Sequence, residues 1–414
     1  EERDCMFLCI DMKCFFASVE CAERGLNPMI TPLVVADETR GSGALCLAVS
    51  PYLKKMGISN RGRLYKIPKN ISYIIAKPRM KKYMDYAVFI HRIFLRYVAA
   101  EDIHTYSIDE AFLNVEPYLH LYNSASEIGY RIMEDIHKEL GIIATCGAGD
   151  NLFLAKLSLD LLAKKKPPYY HYLSLKEFYE KLWFHKNLKD IWQIGSGMTK
   201  RLHKLEMFTL HDIAMADIKL LQKEFGVLGE DLYEHAWGLD ETTIADIKAY
   251  EPLSKSFSRN QILFRDYTKE EAWTLLVEML FLLCMDLLAK QTKIRHISLY
   301  IGYSKHINSY HKTFTLDVYT DDFFEIKEEL KKEYNKVKPG LIRRIGISFS
   351  GMIGKHQEAN TLFYEKNEKY ENLGKMIQSI WDKHGKNSLV LGTAACEEST
   401  LYQRNRQIGG HNSE

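Results

Sequence analysis

Residues 106–112 read Tyr-Ser-Ile-Asp-Glu-Ala-Phe, and the adjacent acids Asp109 and Glu110 stand between two runs of alternating apolar residues. The alternation on both sides of the pair predicts a β-hairpin with the acids near its turn. A third acid, Asp11, ends the apolar strand predicted over residues 5–11. Neighbouring strands would bring the three carboxylates together at one end of a sheet.

Carboxylates at the ends of buried strands need a compensating partner. Hard Mg²⁺ is such a partner, since it prefers carboxylate and phosphate oxygens. Two ions about 3.5–4 Å apart are the usual apparatus for in-line displacement at phosphorus. The three acids therefore favour phosphoryl or nucleotidyl transfer. The alternative is a set of ordinary capped turns, because acidic residues are frequent in turns.

Length and composition limit the class of protein. The chain has 414 residues, so about two to four domains are expected. A run of about 18 apolar residues is absent, so we expect no membrane span, and no secretory signal is predicted at the beginning of the sequence. Eight scattered cysteines without a Cys-x-x-Cys pair argue against zinc and disulfides and for a reducing cytoplasm. The net charge of +2 says little about nucleic-acid partners.

The first 165 residues alternate between strand and helix patterns, and we expect a β-rich core with helices on one face, an α+β fold. The predicted strands are one over 5–11, two short strands within 32–50, the two strands of the hairpin over 102–115 and one near 142–147. The predicted helices lie over 15–21, 79–99, 124–139 and 151–163.

The rest of the chain predicts two further modules. Residues 164–168, Lys-Lys-Lys-Pro-Pro, mark a domain boundary. Residues 174–238 contain only short helical patterns and predict a small all-α unit. Residues 256–350 follow the order β-α-β-β-α-β, which is the split βαβ arrangement.

Two aromatic residues and two lysines are candidate nucleotide contacts. Phe15 and Phe16 follow Asp11 closely, where a helix N-terminus can bind phosphate oxygens and a ring can exclude a ribose 2′-hydroxyl. Lys54 and Lys164 are candidate triphosphate clamps, because lysine acts as a point charge toward phosphate. The alternatives are that both rings belong to the core and that both lysines are solvated helix ends.

Basic and glycine-rich segments are candidate DNA contacts. Gly195 and Gly197, between two helical patterns, let a turn approach a phosphate without reading sequence. Arg259, Arg343 and Arg344 lie within predicted strands, together with Lys293 and Arg295, and would suit a DNA backbone if they lie on an exposed sheet face. The alternatives are an ordinary αα-hairpin and a merely soluble surface.

Taken together, these segments resemble the Y-family of translesion DNA polymerases, and most closely the bacterial UmuC/ImpB branch with its UvrX-type members. The resemblance rests on five motifs in order over nearly the whole chain: residues 9–20 (Cys-Ile-Asp-Met-Lys-Cys-Phe-Phe-Ala-Ser-Val-Glu), residues 106–112, residues 147–156 (Gly-Ala-Gly-Asp-Asn-Leu-Phe-Leu-Ala-Lys), the Gly-Ser-Gly hairpin at residues 195–197 and residues 404–411 (Arg-Asn-Arg-Gln-Ile-Gly-Gly-His).

The resemblance implies a multidomain right-hand polymerase with a β-sheet palm, small fingers, an all-α thumb with a helix-hairpin-helix, and a split-βαβ little finger that binds DNA. The implied boundaries are palm 1–28 and 72–165, fingers 29–71, thumb 166–240, little finger 250–354 and a C-terminal tail 355–414.

The resemblance also implies the roles of the site residues. Asp11, Asp109 and Glu110 would be catalytic and would hold two Mg²⁺ ions, for which Mn²⁺ can substitute, with the carbonyl of Met12 as a further ligand. Phe16 stands where the family places its sugar-sensing aromatic gate.

Three segments depart from the family pattern. Lys54 fits the position of a triphosphate-binding Arg, but Pro51 stands where the family often has Tyr. The palm-end lysine aligns near Lys164, although the segment is one residue longer, which leaves Lys165 as an alternative. Residues 359–363, Ala-Asn-Thr-Leu-Phe, keep the apolar Leu362 and Phe363 of a sliding-clamp peptide but lack its Gln, so clamp binding would be weak.

The implied function is template-directed DNA polymerisation of the error-prone translesion type in DNA repair, in the cytoplasm. The implied partners are primer-template DNA, deoxynucleoside triphosphates, the sliding clamp, a UmuD-like accessory protein and a recombinase filament, with no membrane. Two alternatives are a palm-domain nucleotidyl-cyclase-like enzyme, which needs no thumb, and a non-catalytic DNA-binding accessory protein.

Overall fold

The computed structural model describes residues 7–252, 254–304, 307–355 and 368–414. The chain divides into two compact units. The first consists of Glu1–Tyr250 together with His411–Glu414, and the second is Glu251–Gly410.

The first unit contains two sheets and a series of mostly short helices. Its strands are β1 Phe7–Met12, β2 Leu33–Val35, β3 Ala48–Val49, β4 Ile74–Ala76, β5 Ile103–Thr105, β6 Glu110–Asn114, β7 Ala144–Gly149 and β8 Tyr170–Leu173. Its helices are α1 Phe15–Ala22, α2 Pro51–Lys55, α3 Met80–Phe94, α4 Ala125–Leu140, α5 Leu152–Leu157, α6 Leu175–Lys181, α7 Ser196–Lys204, α8 Leu210–Ala214, α9 Ile218–Phe225, α10 Leu228–Ala236 and α11 Ile244–Ala249. The short strand β15, His411–Asn412, also belongs to this unit.

The larger sheet has the strand order β5-β6-β1-β7-β8, with β1 antiparallel to both of its neighbours and β8 parallel to β7. On one face, Leu8 and Ile10 of β1 join a core with helices α1, α3 and α4. On the other face, Cys9 of β1 packs with Leu152 and Ala155 of α5. The prediction of helices on one face was therefore wrong, because this sheet is covered on both.

Two glycines in β7 explain the second helical layer. A Cβ on Gly147 would lie 2.2 Å from the backbone nitrogen of Leu159, and one on Gly149 would lie 2.5 Å from the backbone nitrogen of Ala155. Only glycine permits this close approach of a helix to a strand. The approach brings the polar side of the segment after α5 next to the acidic end of the sheet.

The smaller sheet has the order β3-β2-β4 and a core of its own that includes Val34, Cys46 and Leu53. Its strand β4 pairs in parallel with β2. This sheet therefore extends past residue 71, where the sequence placed the end of the fingers.

The segment after β8 is helical from α6 to α11, as predicted for residues 174–238. Its core includes Phe178, Leu202, Leu221 and Leu232. Capping boxes begin two of the helices, at Thr209 for α8 and at the residue before α11.

The second unit has the order β-α-β-β-α-β, which confirms the predicted split βαβ arrangement. Its sheet order is β11-β10-β12-β9, and β13 pairs with β10. Its elements are β9 Phe257–Tyr267, α12 Lys269–Ala289, β10 Thr292–Tyr303, β11 Tyr310–Thr320, α13 Phe323–Asn335, β12 Ile342–Ser350, β13 Ile353–Gly354, α14 Glu368–His384, α15 Leu401–Asn405 and β14 Gln407–Ile408.

Helix α12 is the core helix of the second unit. Within the ranges that the structure describes, it alone has the length and mean hydropathy (1.9) of a membrane span, but 78% of that apolar window is buried inside the unit. Its one fully buried acid, Glu278, accepts hydrogen bonds from Arg404 at 2.6 Å and from Ser399 at 2.6 Å. These contacts tie the segment around α15 to the core.

The segment predicted as a C-terminal tail contains ordered elements. Tyr370 and Ile377 of α14 pack into the core of the second unit. Asn412 in β15 donates a hydrogen bond to Asp37 at 3.0 Å, and the backbone N–H of Lys81 donates to Ser413 at 2.9 Å. The last four residues therefore lie against the first unit.

Candidate active site

The register of the larger sheet brings two of the three predicted acids together. Asp11 on β1 lies directly opposite Glu110 on β6 and opposite Thr145 on β7. Cross-strand partners on one face have Cβ atoms about 4.5–5.5 Å apart. Asp109 is in the turn before β6, where Ser107 donates to its carboxylate at 2.7 Å. Its carbonyl accepts from the N–H of Met12 at 3.0 Å.

Asp11 is largely buried and lies close to one lysine and two other acids. Burial raises the pKa of Asp11 to about 6, although the Lys164 ammonium opposes the shift, and Asp109 and Glu110 add to it. The Lys164 ammonium lies 2.6 Å from the Asp11 carboxylate. Burial alone would lower the pKa of Lys164, but its acidic neighbours outweigh this effect and raise it.

A second lysine neutralises Glu110. The ammonium of Lys156, whose side chain is only 7% exposed, lies 2.5 Å from the Glu110 carboxylate and 3.1 Å from Asp160. Burial of Lys156 would lower its pKa, but Cys9, Glu110 and Asp160 outweigh burial and raise it. The thiol of Cys9 also donates to Glu110, at 3.4 Å.

A π-helical turn decides which palm-end lysine reaches the acids. Residues Ser158–Leu162 form a π-helix after α5, followed by a 3₁₀ turn over Ala163–Lys165. A π turn closes its hydrogen bond one residue later than an α turn and so absorbs an inserted residue. The Lys164 ammonium is thereby brought into contact with the Asp11 carboxylate, while the Lys165 side chain is exposed.

The donor set fits divalent metal ions. The carboxylates supply hard oxygen ligands. In this structure the ammonium groups of Lys164 and Lys156 neutralise Asp11 and Glu110. With the lysines in these positions, no three His, Cys, Asp or Glu side chains in the described residues are gathered as a metal cluster. Metal ligation by the acids and by the Met12 carbonyl stays a prediction.

Asp11 and Asp109 line a polar cleft of about 440 Å³. Thr145 of β7 and Pro51 and Lys54 of α2 also line it. The remaining residues that line the cleft are Met12, Lys13, Cys14, Phe15, Phe16, Leu47, Ala48, Lys55, Asn60, Arg61, Lys164, Lys165 and Tyr169.

Pro51 has a structural reason to replace the family's tyrosine. It is the first residue of α2, where its missing N–H costs no hydrogen bond, and Ser50 caps the helix by accepting from Leu53 at 3.4 Å. Lys54 lies one turn further along α2 and borders the cleft.

The two phenylalanines have different environments. Both contribute to the lining of the cleft, but the ring of Phe15 is 2% exposed and belongs to the core, whereas Phe16 is only half-buried. Tyr83 supports Phe16 with ring centroids 4.8 Å apart, and the Tyr83 hydroxyl donates to Glu20 at 2.8 Å. Glu20 is fully buried and is also held by Arg79.

Sequence reasoning missed several residues of this site. Lys13 donates to the carbonyl of Lys164 at 3.2 Å and lies 4.4 Å from the ring centre of Tyr169. Arg61 borders the cleft from the smaller sheet's side. Lys156 and Asp160 had a signal in the sequence, since acids and lysines four residues apart share one face of a helix.

The glycines of the helical segment are accessible. Gly195 is the N-cap of α7, and Gly197 lies in its first turn. Both are exposed, and a Cβ on either would meet no atom within 4 Å. The element before them is a short 3₁₀ turn, Leu188–Asp190, where the sequence predicted one of two short helical patterns.

The basic residues of the second unit lie on different surfaces. Arg344 is exposed, while Arg343 is 3.5 Å from Asp266. Arg259 is opposite the buried Ile347 in the β9–β12 ladder, so it points to the helix-covered face, where it pairs with Asp286 at 2.6 Å. This face is not the exposed sheet surface that the sequence suggested for Arg259.

Two other basic residues of this unit are also named in the sequence prediction. Lys293 is buried. Arg295 is exposed, and its guanidinium lies 5.4 Å from the ring centre of Tyr319.

The exposed face of this sheet has a row of hydroxyl groups instead of a row of charges. Ser298 on β10 is opposite Thr313 on β11 and Ser348 on β12, and Ser348 is opposite Ser258 on β9. The hydroxyls of Ser298 and Thr313 are 2.7 Å apart. The predicted clamp residues Leu362 and Phe363 lie outside the described residues.

Comparison with known families agrees with this architecture. The impB/mucB/samB family model matches residues 10–160, and the model of that family's C-terminal domain matches residues 254–362. The chain belongs to this family, the UmuC-type branch of the Y-family DNA polymerases. It is a translesion DNA polymerase of DNA repair, which decides against the cyclase-like and non-catalytic alternatives.

Individual relatives match most or nearly all of the chain. A putative UV-damage repair protein UvrX of Bacillus subtilis is 34% identical over 98% of this chain and 97% of its own length. A DNA polymerase IV 2 of Halalkalibacterium halodurans is 26% identical over 99% of both chains. A solved Y-family DNA polymerase chimera, Dbh-Dpo4(243-245)-Dbh, has a TM-score of 0.63 and 20% identity, and the match covers 84% of this chain and 99% of the chimera.

Proposed function

We propose that Asp11, Asp109 and Glu110 hold two Mg²⁺ ions and that the chain adds deoxynucleotides to a primer 3′ end opposite damaged template. The observation that supports this most directly is the pairing of Asp11 with Glu110 across β1 and β6 at the end of a cleft rich in lysine. The raised pKa of Asp11, caused by burial, adds support, because a buried carboxylate gains most from a nearby cation.

When bound, two divalent ions would lower the pKa of the primer 3′-hydroxyl, bind the β- and γ-phosphates and stabilise the in-line transition state. The chain's own contribution is position and charge. Asp11 and Glu110 supply fixed oxygens from rigid strands, and Asp109 is oriented by Ser107. Mn²⁺ would substitute for Mg²⁺, since it accepts the same oxygen ligands.

The triphosphate would be bound by the basic side of the cleft. Lys164 and Lys54 would neutralise phosphate charge. Arg61 would supply part of the triphosphate binding that the family's tyrosine provides and that Pro51 cannot. The first N–H groups of α1 add donors beside the metal ligands. Phe16, supported by Tyr83, would form the surface against the sugar and exclude a ribose 2′-hydroxyl.

The primer-template would be bound without sequence readout. Gly195 and Gly197 allow close approach of a phosphate to the N-terminus of α7, a nine-residue helix. On the second unit, Arg344 and the hydroxyl row of its exposed sheet face would contact the backbone. Arg343 would contribute if it leaves Asp266, whereas Arg259 serves the fold through Asp286.

Further partners follow from the family resemblance. We place the protein in the cytoplasm, with weak sliding-clamp binding through Leu362 and Phe363, and with a UmuD-like accessory protein and a recombinase filament as regulators. The small fingers would leave the template base loosely enclosed, so damaged templates fit and discrimination between bases is modest.

The proposal is tested by primer extension with undamaged, abasic and bulky-adduct templates. The expected result is Mg²⁺-dependent extension past the lesion with deoxynucleotides. Absence of template-dependent extension on all three templates, by protein that binds the DNA, would overturn it.

A further inference from the structure

Asp160 lies between the two lysines that neutralise the acids. Its carboxylate is 3.1 Å from the Lys156 ammonium through one oxygen and 2.7 Å from the Lys164 ammonium through the other. The same ammonium groups reach Glu110 and Asp11. The five side chains therefore form one continuous chain of charges, in the order Glu110, Lys156, Asp160, Lys164 and Asp11.

The backbone holds Asp160 in this central position. It lies within the π-helical turn Ser158–Leu162, four residues from each lysine. Gly147 lets this turn contact the sheet, since a Cβ there would lie 2.6 Å from the Cα of Leu159. Because the turn is fixed against β7, the Asp160 carboxylate has a narrow range of positions and stays where it is if either lysine moves.

In this chain of charges two ammonium groups meet three carboxylates, so Asp160 adds a negative charge beyond those of Asp11 and Glu110. An ammonium group has three donors and no acceptor. Each lysine shares its donors between one sheet acid and Asp160. Asp160 is therefore the partner that both lysines retain when the sheet acids turn their oxygens toward a metal ion.

We propose that Asp160 is a positioning residue of the polymerase site, which holds Lys156 and Lys164 away from the metal-binding oxygens of Glu110 and Asp11. This inference rests on the function proposed above. Without the Asp160 charge, Asp11 becomes the main carboxylate partner of Lys164, and Glu110 that of Lys156. Both ammonium groups then compete with metal ions for the acids, and Lys164 loses its support beside the triphosphate.

The test compares Asp160→Asn with Asp160→Glu in the full chain bound to a primer-template. Asp135→Asn is the matched control, because the Asp135 side chain is 30% exposed against 29% for Asp160 and pairs with Arg96 away from the cleft. Three quantities are measured: Mn²⁺ binding by titration, nucleotide binding on a dideoxy-terminated primer, and the KM and kcat of extension.

For Asp160→Asn we expect Mn²⁺ and nucleotide affinities to fall about 10-fold, the loss typical of partners behind a metal ligand. DNA affinity and thermal stability remain near those of the wild type, KM rises more than kcat falls, and Asp160→Glu recovers most of the loss. Wild-type Mn²⁺ and nucleotide binding by Asp160→Asn would overturn the inference. A loss that Asp160→Glu does not recover, or that Asp135→Asn shares, would overturn it too.

The proposed function fails separately. It fails if replacement of Asp109 and Glu110 leaves extension intact. If that replacement abolishes extension while Asp160→Asn binds Mn²⁺ normally, only the role of Asp160 is wrong.

Discussion

The ring of Tyr83 packs against the ring of Phe16, with centroids 4.8 Å apart. Tyr83 is fully buried on α3, and its hydroxyl is bound to Glu20 on α1. Tyr83 therefore supports the ring of Phe16, and because Tyr83 is fully buried it cannot move away from that ring. A rigid aromatic surface beside the proposed metal ligands is what steric exclusion of a 2′-hydroxyl requires.

Phe16→Ala should admit ribonucleotides. Removal of the ring opens space for the 2′-hydroxyl, and we expect discrimination against ribonucleotides to fall about 10- to 100-fold. The measurement is kcat/KM for matched ribo- and deoxynucleotides. Phe15→Leu, in the core beside it, is the control. Unchanged sugar selectivity in Phe16→Ala would remove Phe16 from this role.

The double variant Asp109→Ala with Glu110→Ala should abolish extension and leave DNA binding intact. The acids lie at the end of the sheet where metal binding is proposed, while the proposed DNA contacts lie elsewhere. Primer extension and fluorescence anisotropy with the same primer-template measure the two properties. Glu116→Ala, an exposed acid after the same hairpin, should behave as the wild type. Extension at the wild-type rate by the double variant would contradict the mechanism.

Lys164→Ala should weaken nucleotide binding more than Lys165→Ala. Lys164 is 2.6 Å from Asp11, whereas Lys165 is exposed at the edge of the cleft. Removal of a charge-assisted hydrogen bond to phosphate should raise the KM for the nucleotide about 10-fold in Lys164→Ala. Steady-state kinetics on one primer-template gives the comparison. A larger effect of Lys165→Ala would reassign the palm-end lysine.

Glu20→Gln should remove a pH-dependent part of the stability. Burial by itself would raise the pKa of Glu20, but hydrogen bonds from Arg79, Arg24 and Tyr83 outweigh it and lower the pKa. A lowered pKa means that this stability is present above the ordinary range of a glutamate and is lost as the pH falls through the folded-state value. At pH 7 the loss on substitution should be about 3 kcal/mol.

The Glu20 prediction is checked by urea unfolding of both proteins from neutral to acidic pH. The difference between wild type and Glu20→Gln should shrink as the pH falls. Glu139→Gln removes an exposed pair with Arg96 and should cost far less stability than Glu20→Gln. A difference that stays constant with pH would contradict the ionic role of Glu20.

Arg344→Ala should weaken DNA binding and reduce its salt dependence, while Arg259→Ala should not. Removal of one cation that binds a phosphate lowers the slope of log affinity against log salt by about 1. Arg344 is exposed on the sheet face, and Arg259 is engaged with Asp286 on the other face. Equal salt slopes for the two variants would contradict this assignment of faces.

Local sequence patterns determined much of the fold. The alternation of Ile297, Leu299 and Ile301 identified β10, and the order of strands and helices around it defined the second unit before its pairing was known. The acids were found in the same way, because Asp11 and Asp109 each stand at the end of a patterned segment. Such patterns are visible in the sequence because burial of one face repeats with the period of the element.

The tertiary structure decided which side chains meet. Gly147 lets the segment after α5 approach the sheet, and only this approach places Lys156 on Glu110 and Asp160 between the lysines. The π-helical turn selected Lys164 over Lys165, and strand pairing turned Arg259 toward the helices. These contacts join residues distant in sequence through close packing, and a local pattern contains no information about packing distance.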